Sequence, residues 1–173
     1  MLRAIVSACS VSAAFDPTLN VGVPHPPFSD FMAIWDTGAT ATVITQKVVD
    51  ACGLKPTGMT QAQTAGELRT VETYLVNIRL PHGVGFQEVA VTKMDLGVSA
   101  DILIGMDIIT MGDFSITNKD SVTIFSFRTP SQHHVDFVKE HNAALLKEQF
   151  KHGGSKRERK KKPKAFGRGK HKK

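Results

Sequence analysis

The sequence predicts an all-β domain in residues 1–128, followed by a helix at 129–150 and a disordered basic tail at 151–173. From residue 5 to residue 122, short runs rich in β-branched residues alternate with Gly, Pro, Asn and Asp, which is typical of all-β domains rather than of alternating β and α units. The runs at 76–80 and 86–91 flank Pro81-His82-Gly83, and one face of the pair alternates apolar with polar side chains. This pattern predicts a hairpin in a half-buried sheet.

The predicted strands are short and numerous. They cover residues 3–14, 31–35, 70–80, 84–91, 102–104 and 122–127, and turn residues separate them at 16–17, 24–27, 81–83 and 118–120. One compact domain is expected, since 173 residues with 41% apolar content suffice for one ordinary hydrophobic core.

One helix is predicted after the β domain. Thr129 and Pro130 suit an N-cap followed by proline in the first helical turn. The apolar positions that fall near one helical stripe up to residue 150 are Val135, Val138, Leu145 and Leu146. Gly153 and Gly154 are expected to interrupt the pattern.

Charge divides the chain into two parts. Residues 151–173 contain twelve Lys or Arg and one acid, a net charge of +11, so residues 1–150 carry −5 of the +6 total. The tail has too little apolar surface to offset the entropy of ordering it, and we expect it to be disordered. Its charge predicts either a solvated tail or salt-sensitive binding to nucleic acid or another polyanion.

Cysteine and histidine usage argues against disulfides and metals. Cys9 and Cys52 are the only cysteines, and neither belongs to a Cys-x-x-Cys pair, which favours a reducing, cytoplasmic setting, or a nuclear one if the source is eukaryotic. His133, His134 and His141 are interpreted as surface residues, because no Glu or Cys completes a metal site. No apolar run is long enough to predict a transmembrane segment.

The segment 33–45 presents an acid between two apolar strands. It reads Ala-Ile-Trp-Asp-Thr-Gly-Ala-Thr-Ala-Thr-Val-Ile-Thr. Gly38, two residues after Asp36, lets the backbone approach closely and offer N–H groups to the carboxylate. Because Asp-x-Gly is also common in ordinary turns, this segment alone leaves a purely structural turn as an alternative.

A second apolar segment follows at 100–112. It predicts a strand, a glycine at 105, sixty-nine residues after Asp36, and a short apolar helix, and alone it would be interpreted as core. In this order, the two segments resemble the retropepsin family, whose chains carry Asp-Thr-Gly-Ala or Asp-Ser-Gly and later Ile-Ile/Leu-Gly-x-Asp. The resemblance covers roughly residues 11–127 and implies a retropepsin-like half-barrel with a short helix after the Ile-Gly-Met-Asp segment.

The resemblance implies a role for each matching residue. It implies that Asp36 is the catalytic aspartate, that Thr37 bonds through its hydroxyl across a dimer axis, and that Gly38 is a backbone donor. Ala39 conforms to the family pattern, and Gly105 is expected to pack beneath the loop.

The family's chemistry requires two carboxylates. A water between them attacks a peptide carbonyl, with one acid ionised as the base and the other protonated. This chain has one Asp-Thr-Gly motif, so a homodimer that pairs two copies of Asp36 is the economical solution. The predicted function is therefore an aspartic endopeptidase acting on polypeptides at acidic to near-neutral pH, without metal or cofactor.

Two departures from the family leave alternatives. Trp35 stands where a smaller aliphatic residue is commoner, and the implied flap lacks a glycine-rich tip; its residues are Thr64, Ala65 and Gly66. One alternative is a catalytically weak, dimeric peptide-binding module. Another is a nucleic-acid-associated module that uses the basic tail. Asp101 and Asp107 are given structural roles at a strand start and a helix start.

Overall fold

A computed structural model of the chain describes residues 4–64 and 67–154, which contain nine strands and three α-helices. The strands are β1 (Ile5–Ala13), β2 (Ser29–Trp35), β3 (Val43–Ile44), β4 (Gly58–Thr64), β5 (Glu67–Arg79), β6 (Gly85–Lys93), β7 (Ile102–Ile104), β8 (Asp113–Lys119) and β9 (Val122–Arg128). The helices are α1 (Gln46–Ala51), α2 (Met106–Ile109) and α3 (Phe137–Gly154). The chain divides after Gln132 into two compact units. The fold is mostly β, as predicted.

Seven strands of the first unit form one sheet in the order β1-β2-β7-β3-β6-β5-β4. β1 also pairs with β5, from Ser10 opposite Arg79 to Ala13 opposite Val76, so six of the strands close into a ring and β4 extends it. Two neighbouring pairs are parallel, β2 with β7 and β3 with β6. The ring therefore brings the carboxyl ends of β2 and β7 together, and the segment at 33–45 meets the segment at 100–112 there.

Strand alternation places the core inside this ring. Inward positions of β1, β2, β5 and β7 are apolar and buried, because alternate side chains of a strand point to the same face. The most buried apolar side chains are Val11, Ala33, Ile44, Val48, Val76, Ile78, Ile102 and Ile104. α2 closes one end of the core with Ile108 and Ile109.

β8 and β9 form a separate two-stranded hairpin. They pair from Asp113 opposite Arg128 to Lys119 opposite Val122, and both turn residues, Asp120 and Ser121, adopt positive φ angles of 52° and 64°, as the common two-residue hairpin turn requires. In the described part of the chain, the hairpin shares no backbone ladder with the seven-stranded sheet. Within the first unit, its side chains Phe114, Phe125 and Phe127 pack against the core.

The sequence located most strands but missed two of them and one helix. The observed limits of β1, β2, β5, β6 and β9 lie within a few residues of the predicted ones, and β7 matches its predicted limits. β4 escaped prediction because it is polar and mostly exposed, without apolar alternation, and β8 because Phe114 and Ile116 are its only apolar residues and most of the strand is exposed. α1 escaped because its six residues bury only Val48 and Val49.

The C-terminal helix lies in the second unit and begins eight residues later than predicted. The Thr129 hydroxyl donates to the Met111 carbonyl oxygen at 2.8 Å and so caps no helix. The Asp136 carboxylate instead accepts the Lys139 N–H at 2.9 Å, which is the geometry of an N-cap. α3 extends through Gly154, past the predicted end at residue 150.

None of the helices in the described ranges combines the length and apolarity that a membrane crossing needs. Residues 155–173 lie outside the described residues, so disorder of the tail and its binding to a polyanion stay predictions.

Candidate active site

Asp36 follows directly after β2, at the end of the β2–β7 pair. Trp35 pairs with Ile104 in the parallel register, and the Asp36 N–H continues that pairing by donating to the Ile104 carbonyl oxygen at 3.0 Å. The side chain is half-buried. Two apolar core strands thus deliver a polar residue to the rim of the domain, where water still reaches it.

The loop after Asp36 fixes one carboxylate oxygen. The Gly38 N–H donates to Asp36 Oδ1 at 2.8 Å, and the Ala39 N–H donates to the Asp36 carbonyl oxygen at 3.3 Å. A Cβ on Gly38 would lie 3.1 Å from Oδ1, so glycine permits this approach. Asp36 Oδ2 and the exposed Thr37 hydroxyl bond to no other group in the described part of the chain. One oxygen is oriented and the other is left available.

Gly105 lies beneath the same loop. A Cβ there would stand 2.6 Å from the Ala41 carbonyl oxygen and 3.1 Å from that of Ala39, which no real side chain tolerates against backbone. The next residue, Met106, donates its N–H to the Ala39 carbonyl oxygen at 2.8 Å. The loop and the start of α2 therefore fit together only because residue 105 has no side chain.

Asp107 braces the site in a way that sequence reasoning missed. Its carboxylate accepts the Thr42 N–H at 2.9 Å through Oδ2, and the Thr42 hydroxyl at 2.8 Å together with the Ile108 N–H at 2.9 Å through Oδ1. Thr42 is fully buried. Asp107 does lie in the first turn of α2, as predicted, but it also ties that helix to the chain leaving the Asp36 loop. The sequence signal that could have revealed this role of Asp107 is its place as the acid of the Ile-Gly-x-Asp segment.

Asp101 lies just before β7, and the structure gives it local partners. Its carboxylate forms an ion pair with Lys47 at 2.9 Å, and its carbonyl oxygen accepts the Thr45 N–H at 3.0 Å. These contacts join the start of β7 to the start of α1. They agree with a structural role and leave Asp36 as the candidate acid.

The implied flap is described only in part. β4 and β5 form a long hairpin whose last pair is Thr64 opposite Glu67. Ala65 and Gly66 lie outside the described residues, so the flap assignment stays a prediction.

The two cysteines do not supply a second reactive centre. Cys9 is buried, and burial, with the charges of Asp101 and Asp30, raises the pKa of its thiol to about 12. Burial also raises the pKa of the Cys52 thiol. Thiols with raised pKa values are poor nucleophiles at neutral pH. Within residues 4–64 and 67–154, His, Cys, Asp and Glu side chains form no cluster of three or more suited to a metal ion.

An apolar row lies on the outer face of the sheet beside Asp36. Strand register aligns Val6 with Ile34 and Ile34 with Leu103, across β1, β2 and β7. Val6 is exposed, while Ile34 and Leu103 are half-buried. Since neighbouring residues of a strand point to opposite faces, this row lies on the side of β2 opposite the buried Trp35.

Comparisons with known proteins found one family model and several solved structures similar to this chain. Residues 28–108 match a family model described as aspartyl protease. Among solved structures, the chain is similar to the retroviral protease-like domain of Ddi1 from Leishmania major, at 14% identity over 75% of this chain and 98% of that one, with a TM-score of 0.41. It is also similar to a retropepsin-like aspartic protease from Rickettsia conorii, at 13% identity over 68% and 90%, with a TM-score of 0.40. A search of curated proteins gave no match.

The matched residues run from the start of β2 into α2 and contain both motif segments. They include Asp36, Thr37, Gly38 and Gly105, all of which the structure gathers at one junction of loop and helix. Residues 28–108, which contain both motif segments, are therefore similar to the aspartyl protease family.

Proposed function

We propose that the protein is a homodimeric aspartic endopeptidase in which a water between two Asp36 carboxylates, one from each protomer, hydrolyses a peptide bond. One observation carries this proposal: the carboxylate of Asp36 has Oδ1 fixed by the Gly38 N–H, while Oδ2 bonds to no group in the described part of the chain. Such a group is oriented for chemistry but incomplete within one protomer.

The reaction assigns one protonation state to each carboxylate. The ionised acid takes a proton from the water as the oxygen attacks the carbonyl carbon, and the protonated acid donates to the carbonyl oxygen. Two carboxylates so close do not both ionise, so the pair shares one proton. Activity then requires a pH at which the pair holds a single proton, which gives a bell-shaped pH profile at acidic to near-neutral pH.

The need for a second copy follows from the single motif. A closed two-fold pair places the same loop on both sides of the axis, so each protomer's Asp36 faces its equivalent. The Thr37 hydroxyl lies on the exposed side of this loop, where it is available to bond across such an axis. The exposed position of Thr37 supports the proposal.

The hairpin of β8 and β9 is the surface best suited to join two copies. Both of its outer edges lack a neighbouring strand in the described ranges, and free edges readily accept one. Ile116, Val122 and Ile124 expose 50%, 60% and 58% of their side chains on it. Pairing of this hairpin with its counterpart would cover apolar surface and complete the backbone ladder.

We further propose that the substrate is a polypeptide with apolar side chains beside the bond that is cut. The row of Val6, Ile34 and Leu103 crosses the sheet at Ile34, two residues before Asp36, and offers apolar contact on the outer face of the sheet. Apolar side chains would lose water on binding there, which favours them over charged ones.

The test is cleavage of a denatured protein mixture from pH 4 to pH 7, with the cut sites read by mass spectrometry. Asp36→Asn should reduce the rate by about a thousandfold or more, because an amide can neither take nor supply the proton. Asp95→Asn is the matched control, since Asp95 is an exposed loop acid. Absence of cleavage at any pH, or full activity of Asp36→Asn, would contradict the proposal.

A further inference from the structure

Trp35, the residue before Asp36, is the centre of an aromatic cluster that holds the hairpin. Its ring centroid lies 5.9 Å from Phe114 of β8, and 5.1 Å and 5.0 Å from Phe125 and Phe127 of β9. All three pairs are tilted, which is a favourable arrangement of aromatic rings. The side chain is only 6% exposed. One side chain from β2 thus contacts both strands of the hairpin.

The cluster matters because the hairpin is held on the domain by side chains that pack against the core, among them Phe114, Phe125 and Phe127. An isolated two-stranded hairpin is marginally stable in water, and β8 and β9 pair only with each other among the described strands. Phe86 adds one further ring contact to Phe127, and the Thr129 hydroxyl bonds to Met111. Among the aromatic pairs of the described residues, Trp35 is the core side chain that contacts both strands of the hairpin, so the position of the hairpin depends in part on its ring.

The orientation of the ring is also set by β1. The Trp35 indole Nε1–H donates to the Ser7 hydroxyl at 2.9 Å. Ser7 projects from the same face of the sheet as Trp35, since Ile5 pairs with Trp35 and alternate residues share a face. This bond satisfies a buried donor and fixes the tilt of the indole against the three phenyl rings.

The backbone of Trp35 sets the position of the catalytic candidate. It pairs with Ile104 on one side and Ile5 on the other, and the next N–H, that of Asp36, bonds to the Ile104 carbonyl oxygen. The side chain of Trp35 contacts the hairpin, and its backbone continues directly into Asp36. A displacement of the indole would therefore move the strand end one residue before the acid.

We propose that Trp35 is a positioning residue that links the pairing of two hairpins to the alignment of Asp36. When two copies join through β8 and β9, the aromatic cluster holds the β2 terminus, and with it the carboxylate, in the geometry that the shared proton needs. This inference rests on the proposed homodimeric protease. It also gives a reason for a large aromatic residue where the family more often has a smaller aliphatic one.

Trp35 is the only tryptophan, so its fluorescence reports this coupling directly. In a dilution series of the full chain, emission of the wild-type protein should change over the same concentration range in which specific activity falls and sedimentation shows dissociation. Emission that stays constant while activity and dimer fraction fall would overturn the inference.

Substitutions separate positioning from mere packing. Trp35→Phe keeps an aromatic ring but loses part of the three contacts and the bond to Ser7, and should raise the dimer dissociation constant about tenfold. It should also lower kcat when the protein is concentrated enough to be dimeric, with KM little changed. Phe125→Leu should raise the dissociation constant similarly from the hairpin side. Phe31→Leu is the control, because Phe31 is a buried residue of the same face of β2 and takes no part in these ring pairs.

The outcomes distinguish this inference from the proposed function. If wild-type protein forms no dimer or cuts no peptide, the proposed function fails with it. If wild-type protein is an active dimer and Trp35→Phe or Phe125→Leu lowers only the melting temperature, as Phe31→Leu does, the coupling alone is wrong. Should Trp35→Phe fail to fold, Phe125→Leu and Ser7→Ala give the same test.

Discussion

The Asp36 loop and the β8–β9 hairpin are built from opposite kinds of interaction. Backbone groups, two glycines and the half-buried carboxylate of Asp107 hold the loop, and its hydrogen bonds link residues as far apart as Thr42 and Asp107. Side-chain rings hold the hairpin, and its apolar residues reach solvent. Contacts within one protomer thus support Asp36, whereas the hairpin leaves apolar side chains exposed and, in the described ranges, both of its edges without a neighbouring strand.

The two regions also respond differently to change. Buried backbone contacts at the loop tolerate almost no added atom, because interiors are close-packed and cannot shift locally. The hairpin surface has room, so substitutions there should alter association more than folding.

The largest effect should come from Gly105→Ala. Its Cβ would stand 2.6 Å from the Ala41 carbonyl oxygen, so the loop and α2 must separate. We expect the free energy of unfolding to fall by about 3 kcal/mol or more, and the activity to be lost as well. Denaturant unfolding measures it. Gly85→Ala is the control, since its Cβ would meet only an ordinary contact at 3.9 Å. Equal stability of the two variants would contradict the assigned packing.

Asp107→Ala should have the next largest effect. It leaves the buried Thr42 N–H and hydroxyl without their acceptor, which costs about 2–4 kcal/mol of unfolding free energy. Asp107→Asn keeps an acceptor oxygen of the same shape and should recover part of that loss. Thermal unfolding of the three proteins checks the order. A wild-type melting temperature for Asp107→Ala would show that the brace does not contribute.

On the hairpin, Ile124→Lys should weaken dimerisation and spare the fold. Ile124 is 58% exposed, so lysine fits the protomer, but two cations would meet where two copies pair. We expect a dissociation constant raised by about ten- to a hundredfold in sedimentation equilibrium, with little change in melting temperature. Leu19→Lys, on a loop residue that is 80% exposed, is the matched control. Identical dissociation constants for the two variants would place the interface elsewhere.

A smaller effect is expected from acid at the base of the hairpin. The Ser131 hydroxyl, the Gln132 N–H and the Arg128 guanidinium hold the pKa of Asp113 below its ordinary value. Because the folded-state pKa is the lower one, this carboxylate stabilises the fold above its unfolded value of about 3.8, and the contribution is lost as the pH falls below that.

The measurement is the melting temperature from pH 6 to pH 2. Wild-type protein should lose stability more steeply below about pH 4 than Asp113→Asn does. Parallel curves for the two proteins would mean that these hydrogen bonds do not favour the charged form.

The smallest effect concerns Cys9. Its thiol is buried in β1 and its pKa is raised to about 12, so a disulfide reagent at pH 8 should leave it unmodified until the domain unfolds. Protection should persist at dilutions where the dimer has dissociated, since separation of hairpins leaves the ring of strands closed. If Cys9 became modified as soon as the dimer dissociates, separation of the hairpins would also open the ring of strands, which would contradict this prediction.

Local patterns in the sequence were enough for the framework of the fold. Alternating apolar residues located β5 and β6, and the acid between two apolar strands pointed to Asp36, because both depend on residues that are near in the chain. In β8 only Phe114 and Ile116 alternate with polar residues, a pattern too short to be recognised as a strand. The position of β8 is determined by the contact of Phe114 with Trp35 and by pairing with β9. Neither contact can be predicted from the periodicity of apolar residues along the strand.

Long-range contacts explain the rest of what the sequence left open. Asp107 reads as an ordinary acid at a helix start, and its partner Thr42 lies sixty-five residues away. Trp35 reads as a departure from the family, and only the fold shows the three phenylalanines that surround its indole. The start of α3 was misplaced for a similar reason, because Thr129 bonds to Met111 across the hairpin base.

The most direct test of a shared active site is a mixing experiment. Wild-type protein is equilibrated with a ninefold excess of Asp36→Asn and assayed on a peptide at a concentration where both are dimeric. Random pairing leaves about a tenth of the wild-type protomers in wild-type dimers, so activity should fall to about a tenth of that of wild-type protein alone. Activity that is unchanged by the excess would contradict a site built from two copies of Asp36.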